Sequence, residues 1–427
     1  MNARIEITKH LKNFIKNKFD LNKSEIQKSR KFSQNTKNVI KQIYNKINQS
    51  YNKFDSDQEK ITYENIDFSN KSNLGTSYNY IPEEIKKEID DSMKVGRIYT
   101  FNIKKRIIKV SLILPIDTKK IDIKSKNIQR IISQEFNKIV QKVYIWLYTI
   151  ESYAHLNCSK VMNIYIILTD SIKTLPRVLG KEIGRVNANT AFTTSCSEKS
   201  EIHIYRNEEY FKVLLHETMH NLGLDFSTMN ENITTTKIKE IFPVKCEDLR
   251  IYESYCEMWA EIINVIFYVY FTSNVNTKND IDKIINKIED CLYYESQWSN
   301  YQCSKILHFY NLKYTDMFDK SITKSAHRDE NYKEKDTHVI AYYVIKSFLM
   351  FHVNEFIEWC IDNNDNIISF QKNNTTLQSY CNLIKSLYKI PIFLENINII
   401  EKSISEKKIK EIPFYELNTL RMSLHEF

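Results

Sequence analysis

Apolar and polar residues alternate in two runs, RIYTFNI (97–103) and RIIKVSLILP (106–115), separated by Lys104-Lys105. A two-residue period rich in Ile, Val, Tyr and Phe marks strands, and this spacing predicts a hairpin or two consecutive strands ended by Pro115. Further on the period changes. Apolar residues at 128, 131, 132, 136, 139, 140, 143, 146, 147 and 150 trace the single buried stripe of an amphipathic helix. VMNIYIILTD (161–170) is almost uniformly apolar and predicts a buried strand. The polar stretch 171–200, with Gly180 and Gly184, predicts a long loop. Ile202–Tyr205 then predicts a short strand that leads into a helix over 208–222. Beyond Phe226 the spacing is helical near 251–271, 281–295, 300–312, 337–358 and 376–389. Residues 1–60 read as broken Lys/Asn-rich helical pieces and 61–80 as a polar linker. The pattern predicts an α+β fold in three parts: a basic segment 1–80, a strand-bearing subdomain 81–226, and a helical subdomain 227–427.

Composition narrows the class. With 42% hydrophobic and 12% aromatic residues, the chain is too apolar for a disordered protein, and five glycines among 427 residues favour helices over tight turns. The net charge of +8 is concentrated. Residues 1–60 hold fourteen Lys or Arg against six Asp or Glu, an excess that accounts for all of it. A basic arm on a neutral body is either a solvated tail or a contact for an anionic partner, nucleic acid or membrane surface. The eight cysteines form no CxxC pair, so a zinc ribbon or a disulfide framework is not expected. No signal-peptide core or membrane-length apolar run is seen, and the expected setting is reduced and intracellular.

The chemistry concentrates at His216-Glu217-Thr218-Met219-His220. On a helix, 216 and 220 lie one turn apart on one face, so both imidazoles can bind one Zn²⁺ at roughly 2.0–2.1 Å. Glu217 is offset by one residue and can reach a water at the metal without ligating it. Asn207 is placed to cap this helix, with Glu208 and Glu209 in its first turn, and Gly223 is placed to end it. The third ligand must come from elsewhere. Helix 251–271 carries Glu253, Glu257, Glu261 and Asn264 as one narrow polar stripe on an otherwise apolar surface. Buried carboxylates need a cation, and zinc would supply it.

HETMH followed by Glu257-Met-Trp-Ala-Glu261 resembles the gluzincin clan of zinc peptidases, the thermolysin-like and aminopeptidase-like enzymes. The resemblance implies a zincin-like fold: a small mixed β-sheet with backing and active-site helices, followed by a mostly helical C-terminal lobe. It implies Glu257 as third ligand, with Glu253 as the alternative because His220 and Glu257 are 37 residues apart. It also implies Glu261 as the acid that orients a ligand histidine. The metzincin pattern is not met, since position 226 is Phe. VNANTAFTTS (186–195), EIHIYRNEEYFKVLLHETMHNLGLDF (201–226) and THVIAYYVIK (337–346) are similar in tone to metallopeptidase-like proteins of large DNA viruses, which implies a location in host cytoplasm or virion.

The remaining catalytic roles have several candidates. Ile202–Tyr205 is expected to be the edge strand that aligns a peptide substrate by main-chain pairing. Asn187 and Asn189 could hold substrate backbone. For the oxyanion donor the resemblance points to His338, after the Asp336-Thr337 cap, with Tyr342 and Tyr343 as rivals. Asp225 either bonds a ligand histidine or caps its loop. The expected function is a peptidase with one zinc per chain, Glu217 as general base and a peptide or protein substrate, an endopeptidase rather than an aminopeptidase. The alternative is a zincin-fold virion or host-interaction protein with little turnover.

Overall fold

The computed structural model describes residues 2–19, 31–116, 125–246, 248–274, 280–334, 337–405 and 408–427. It has a mixed α+β architecture and divides into two compact units: a sheet unit of Ile43–Ile172 and Asn189–Leu224, and a helical unit of Met1–Gln42, Lys173–Ala188 and Asp225–Phe427. This division cuts the basic segment 1–80 at residue 42.

In the sheet unit, six strands run in the order β1-β2-β3-β4-β6-β5. They are β1 (Thr62–Asn65), β2 (Met93–Ile103), β3 (Arg106–Ile116), β4 (Val161–Ile167), β5 (Ala191–Thr193) and β6 (Lys199–Ile204). The alternating runs form the β2–β3 hairpin. Ile103 pairs with Arg106 across the Lys104-Lys105 turn, where Lys104 takes the positive φ (49°) that such a turn requires. β3–β4 and β4–β6 pair in parallel; the other pairs are antiparallel. The expected helix spans Lys126–Ile150 and buries Ile132, Phe136, Ile139, Val140, Val143, Trp146, Leu147 and Ile150. Ile113 of β3 and Ile167 of β4 pack with Phe68, Leu74, Tyr78, Ile81, Ile85 and Ile89. Residues 61–80 are therefore core-forming chain with a strand of their own, not a polar linker.

Two further corrections concern the helical unit. The N-terminal segment is not a solvated arm: helix Asn2–Lys18 seats Leu11, Phe14 and Ile15, with Phe19 just beyond it, in a cluster with Trp298, Tyr301, Ile400 and Leu424. The two helices expected at 281–295 and 300–312 are one, Ile281–Phe309. Side chains of this helix hold the segment 416–421. Trp298 Nε1 and Gln302 Nε2 donate to the Arg421 carbonyl at 3.1 and 2.8 Å, and Lys305 Nζ donates to the carbonyls of Glu416 (2.9 Å) and Thr419. Burial holds Lys305 well below the usual lysine range, against the opposing pull of the Glu416 charge.

Candidate metal centre

The helix that carries the histidine pair spans Tyr210–Asn221, and every one of its residues is buried. Its start differs from expectation. Glu209, in a left-handed conformation (φ 57°), is the N-cap and makes no side-chain cap bond. Asn207 does not cap the helix. Its N–H donates to Thr169 O at 3.1 Å and its carbonyl accepts from Tyr210 N, which ties it to the preceding loop. Gly223 ends the helix as expected, with φ 70°, its N–H on His220 O (3.1 Å) and the Leu224 N–H on Met219 O (2.9 Å).

His216 and His220 are 5% and 7% exposed, and their Nε2 atoms lie 3.1 Å apart. Two nitrogens each about 2.0–2.1 Å from a tetrahedral Zn²⁺ stand roughly 3.3 Å apart, so the pair is spaced for one ion. Glu217 is buried between them in sequence. The helix is held by partners the sequence did not single out. Thr218 accepts the Trp146 indole N–H at 2.7 Å and donates back to the helix carbonyls of Leu214 and Leu215. Asn221 Nδ2 donates to Thr193 Oγ1 (3.1 Å) and Thr194 O (3.2 Å), and its Oδ1 accepts from Ser200 Oγ (3.1 Å) and from Ser159. The polar back of the metal-side helix is thus fixed to β5, β6 and the chain before β4.

The edge-strand assignment needs correction. β6 is an inner strand, paired on one side with β4 and on the other with β5. The edge is β5, three residues long and antiparallel to β6, inside the segment expected to be loop. Its shortness, in a polar stretch, left no periodic signal. Asn187 is not free for a ligand: its amide takes Gly184 N–H (3.1 Å) and donates to Thr174 O (3.0 Å).

Within the helical unit, helix Tyr252–Thr272 presents the polar stripe, and Glu253, Glu257, Glu261 and Asn264 are all buried. Lys346 brings a cation to that stripe. Lys346 Nζ lies 2.6 Å from Glu261 Oε1, 3.3 Å from Glu257 Oε1 and 3.0 Å from Met422 O. Asn264 Nδ2 donates to Ser423 Oγ (3.2 Å) and His425 O (2.9 Å). Glu257 and Glu261 are thus brought together on the Lys346 ammonium. Glu253 differs: its Oε2 accepts the Tyr342 hydroxyl at 2.8 Å. Tyr343 donates instead to Leu420 O (2.8 Å). His338 sits beside Tyr342, with ring centroids 6.3 Å apart, and burial draws its pKa below the usual histidine value, against the opposing pull of the Glu253 charge. His338 is not in the first turn of a helix; it precedes one, at φ 50°, and its carbonyl accepts from Ala341 and Tyr342 N–H where a π-helical turn (Ile340–Ile345) begins. Asp336, its expected cap, lies outside the described residues. Asp225 accepts the Ser227 hydroxyl (2.9 Å).

Groups of His, Cys and carboxylate side chains that could hold a metal ion occur among the described residues. One of them lies wholly in the sheet unit: His155, Cys158 and Cys196. Contrary to the expectation of reduced thiols throughout, Cys158 and Cys196 are joined as a disulfide, while Cys246, Cys256, Cys291, Cys303, Cys360 and Cys381 are free and buried. The pair is 38 residues apart in sequence, but each cysteine precedes one of two adjacent parallel strands, β4 and β6. No helix among the described residues is long and apolar enough to cross a membrane. Compared with family models, with curated proteins and with solved structures, the chain matches none.

Proposed function

We propose that this chain is a zinc-dependent peptidase of gluzincin-like type, with one zinc per chain on His216 and His220. The observation that carries the reading is the 3.1 Å separation of two buried imidazole Nε2 atoms on consecutive turns of one helix, with a glutamate between them. That separation suits one shared cation, and a purely structural metal pair has no need of Glu217 beside it.

For the third donor we favour Glu253 over Glu257. Lys346 already holds Glu257 and Glu261, and the Tyr342 hydroxyl positions the Glu253 carboxylate. Bound zinc would supply Lewis acidity that acidifies a water and polarises a peptide carbonyl. Glu217 then takes the proton of that water and hands it to the leaving amine. Tyr342, and His338 as a neutral imidazole, are the donors available to a developing oxyanion; Tyr342 would also hold Glu253 in place. β5, the short antiparallel edge, is the strand along which an extended substrate would pair.

The test measures zinc and peptide hydrolysis in parallel. Glu217→Gln is expected to keep zinc and lose turnover by at least about a hundredfold. Glu253→Gln is expected to lose zinc, and Glu257→Gln to retain it. Full hydrolysis by Glu217→Gln would remove the assigned base, and zinc loss from Glu257→Gln alone would return the ligand role to Glu257.

A further inference from the structure

We propose that His155, Cys158 and Cys196 form a second, thiol-gated metal site, which takes a sulfur-seeking divalent cation, zinc above all, once the Cys158–Cys196 disulfide is reduced. The ligand atoms of the three residues lie within 4.8 Å of one another. Two cysteines and one histidine are a known type of zinc ligand set, and His-x-x-Cys places two donors on one short turn, as zinc-binding turns commonly do.

The scaffold around them does not depend on the sulfur–sulfur bond. The Cys158 N–H donates to His155 O at 3.1 Å and closes the turn. Arg106, buried and paired with Glu151 at 3.0 Å, clamps that turn by donating to His155 O (2.8 Å) and Cys158 O (3.3 Å). On the Cys196 side, Ser159 N–H donates to Ser197 O (2.6 Å) and Val161 N–H to Glu198 O (3.1 Å). With the disulfide open, backbone bonding therefore still holds the thiols on neighbouring chain segments. Gly223 supplies the space. A Cβ there would lie 3.0 Å from Cys158 Sγ, 3.5 Å from Cys196 Cβ and 3.6 Å from His155 Cβ, so the bare backbone packs against all three donor residues. Cys158 is fully buried, Cys196 is half-buried and His155 is exposed, which leaves a route in for both reductant and ion. The imidazole of His155 is exposed and makes no side-chain hydrogen bond among the described residues, which leaves a nitrogen to face a ligand.

The chemistry balances with a dithiol as reductant. Its thiolate attacks one sulfur of the disulfide, its second thiol releases the mixed disulfide, and it leaves as a cyclic disulfide. Two electrons and two protons end on the thiols of Cys158 and Cys196. Cation binding then expels both thiol protons and leaves two thiolates and one imidazole as donors. The site abuts the end of the histidine-pair helix, because His155 N–H donates to Leu222 O (3.1 Å) and Ser159 Oγ to Asn221 O (2.9 Å). Disulfide and metal are thus alternative braces for the same helix end.

The experiment uses the full chain, freed of metal by chelation and titrated with Co²⁺, whose bonds to thiolate give an intense near-ultraviolet charge-transfer band. The oxidised chain is expected to show no such band. After reduction with a phosphine, which takes an oxygen from water as it reduces the disulfide, the band is expected at about one Co²⁺ per chain and should vanish on reoxidation. His155→Ala should weaken this Co²⁺ binding by about tenfold or more. The paired variant Cys158→Ser, Cys196→Ser should lack the band under both conditions. Absence of the band from the reduced parent overturns the proposal, as does its persistence at full strength in the paired variant, which would place it on the other six cysteines. The oxidised–reduced comparison within one unmutated chain decides even where the paired variant does not fold. A site of imidazoles and a carboxylate gives no sulfur band, so the outcome does not depend on the peptidase reading.

Discussion

Lys346→Met is the perturbation that most directly tests how the buried carboxylate stripe is balanced. Lys346 is 1% exposed, and its ammonium lies 2.6 Å from Glu261 Oε1 and 3.3 Å from Glu257 Oε1, both on carboxylates that are themselves 1% exposed or less. At an effective dielectric of about 20, those separations correspond to roughly 6 and roughly 5 kcal/mol of gross attraction. Desolvation of the three charged groups offsets much of this, and removal of one partner of a buried ion pair costs a net ~3–5 kcal/mol. Methionine fills most of the lysine volume, so the loss measures charge and not a cavity. Urea unfolding of the variant is expected to show a lower midpoint with an unchanged slope. Adding Glu257→Gln and Glu261→Gln to Lys346→Met should recover more than half of the loss, because the two side chains that faced the ammonium are then neutral and still able to hydrogen-bond. A Lys346→Met variant within about 1 kcal/mol of the parent, the value of an exposed pair, would refute the reasoning. So would a triple variant no more stable than the single one.

Burial pushes Glu334 up to about 7, although the Tyr332 hydroxyl and the Ile340 N–H both donate to it. A carboxyl raised in the folded state contributes stability that is complete below its unfolded value near 4.5 and is lost as pH rises through about 7. Glu334→Gln should therefore be more stable than the parent at pH 8, by up to about 3 kcal/mol, and gain nothing at pH 4; an equal effect at both pH values in urea melts would contradict this. Gly223→Ala places a β-carbon at φ 70° and 3.0 Å from Cys158 Sγ; it should cost about 1–2 kcal/mol from the backbone alone, and an unchanged melting midpoint would show that the helix end is not constrained as described.

What was legible in the sequence was what local periodicity encodes. The β2–β3 hairpin, the Lys126–Ile150 helix, β4 and the histidine-pair helix each bury one stripe or alternate faces over at least one full repeat, and each was expected within a few residues of its observed bounds. Features that failed to show depend on distant chain. The spacing reads as two helices, 281–295 and 300–312, where one runs through, and the Trp298 and Gln302 side chains there donate to the carbonyl of Arg421 in the buried segment 419–427, a contact that local periodicity does not encode. β5 has three residues, too few for a period. The disulfide joins loops that only the parallel pairing of β4 and β6 brings together.

Lys346 had a signal of its own. It is the single charge in the apolar run VIAYYVIKSFLMF, and a lone lysine in a buried helix needs carboxylates as much as a carboxylate stripe needs a cation. Matching the two by charge alone predicts their pairing without any metal, and this weakens burial as evidence for zinc at Glu257 and Glu261. It does not weaken the case at His216 and His220, which rests on the separation of two nitrogens and not on unbalanced charge. Glu253 then stands apart from its stripe. It is the acid next to Tyr342 and near His338, the two side chains proposed to meet an oxyanion, whereas the acids one and two turns on are held by Lys346. In the proposed reading the first buried glutamate of this helix serves as the third donor, and the next two stay on Lys346. Zinc loss on Glu253→Gln with little loss of urea stability, set against the reverse for Lys346→Met, is the pair of results this division of labour requires.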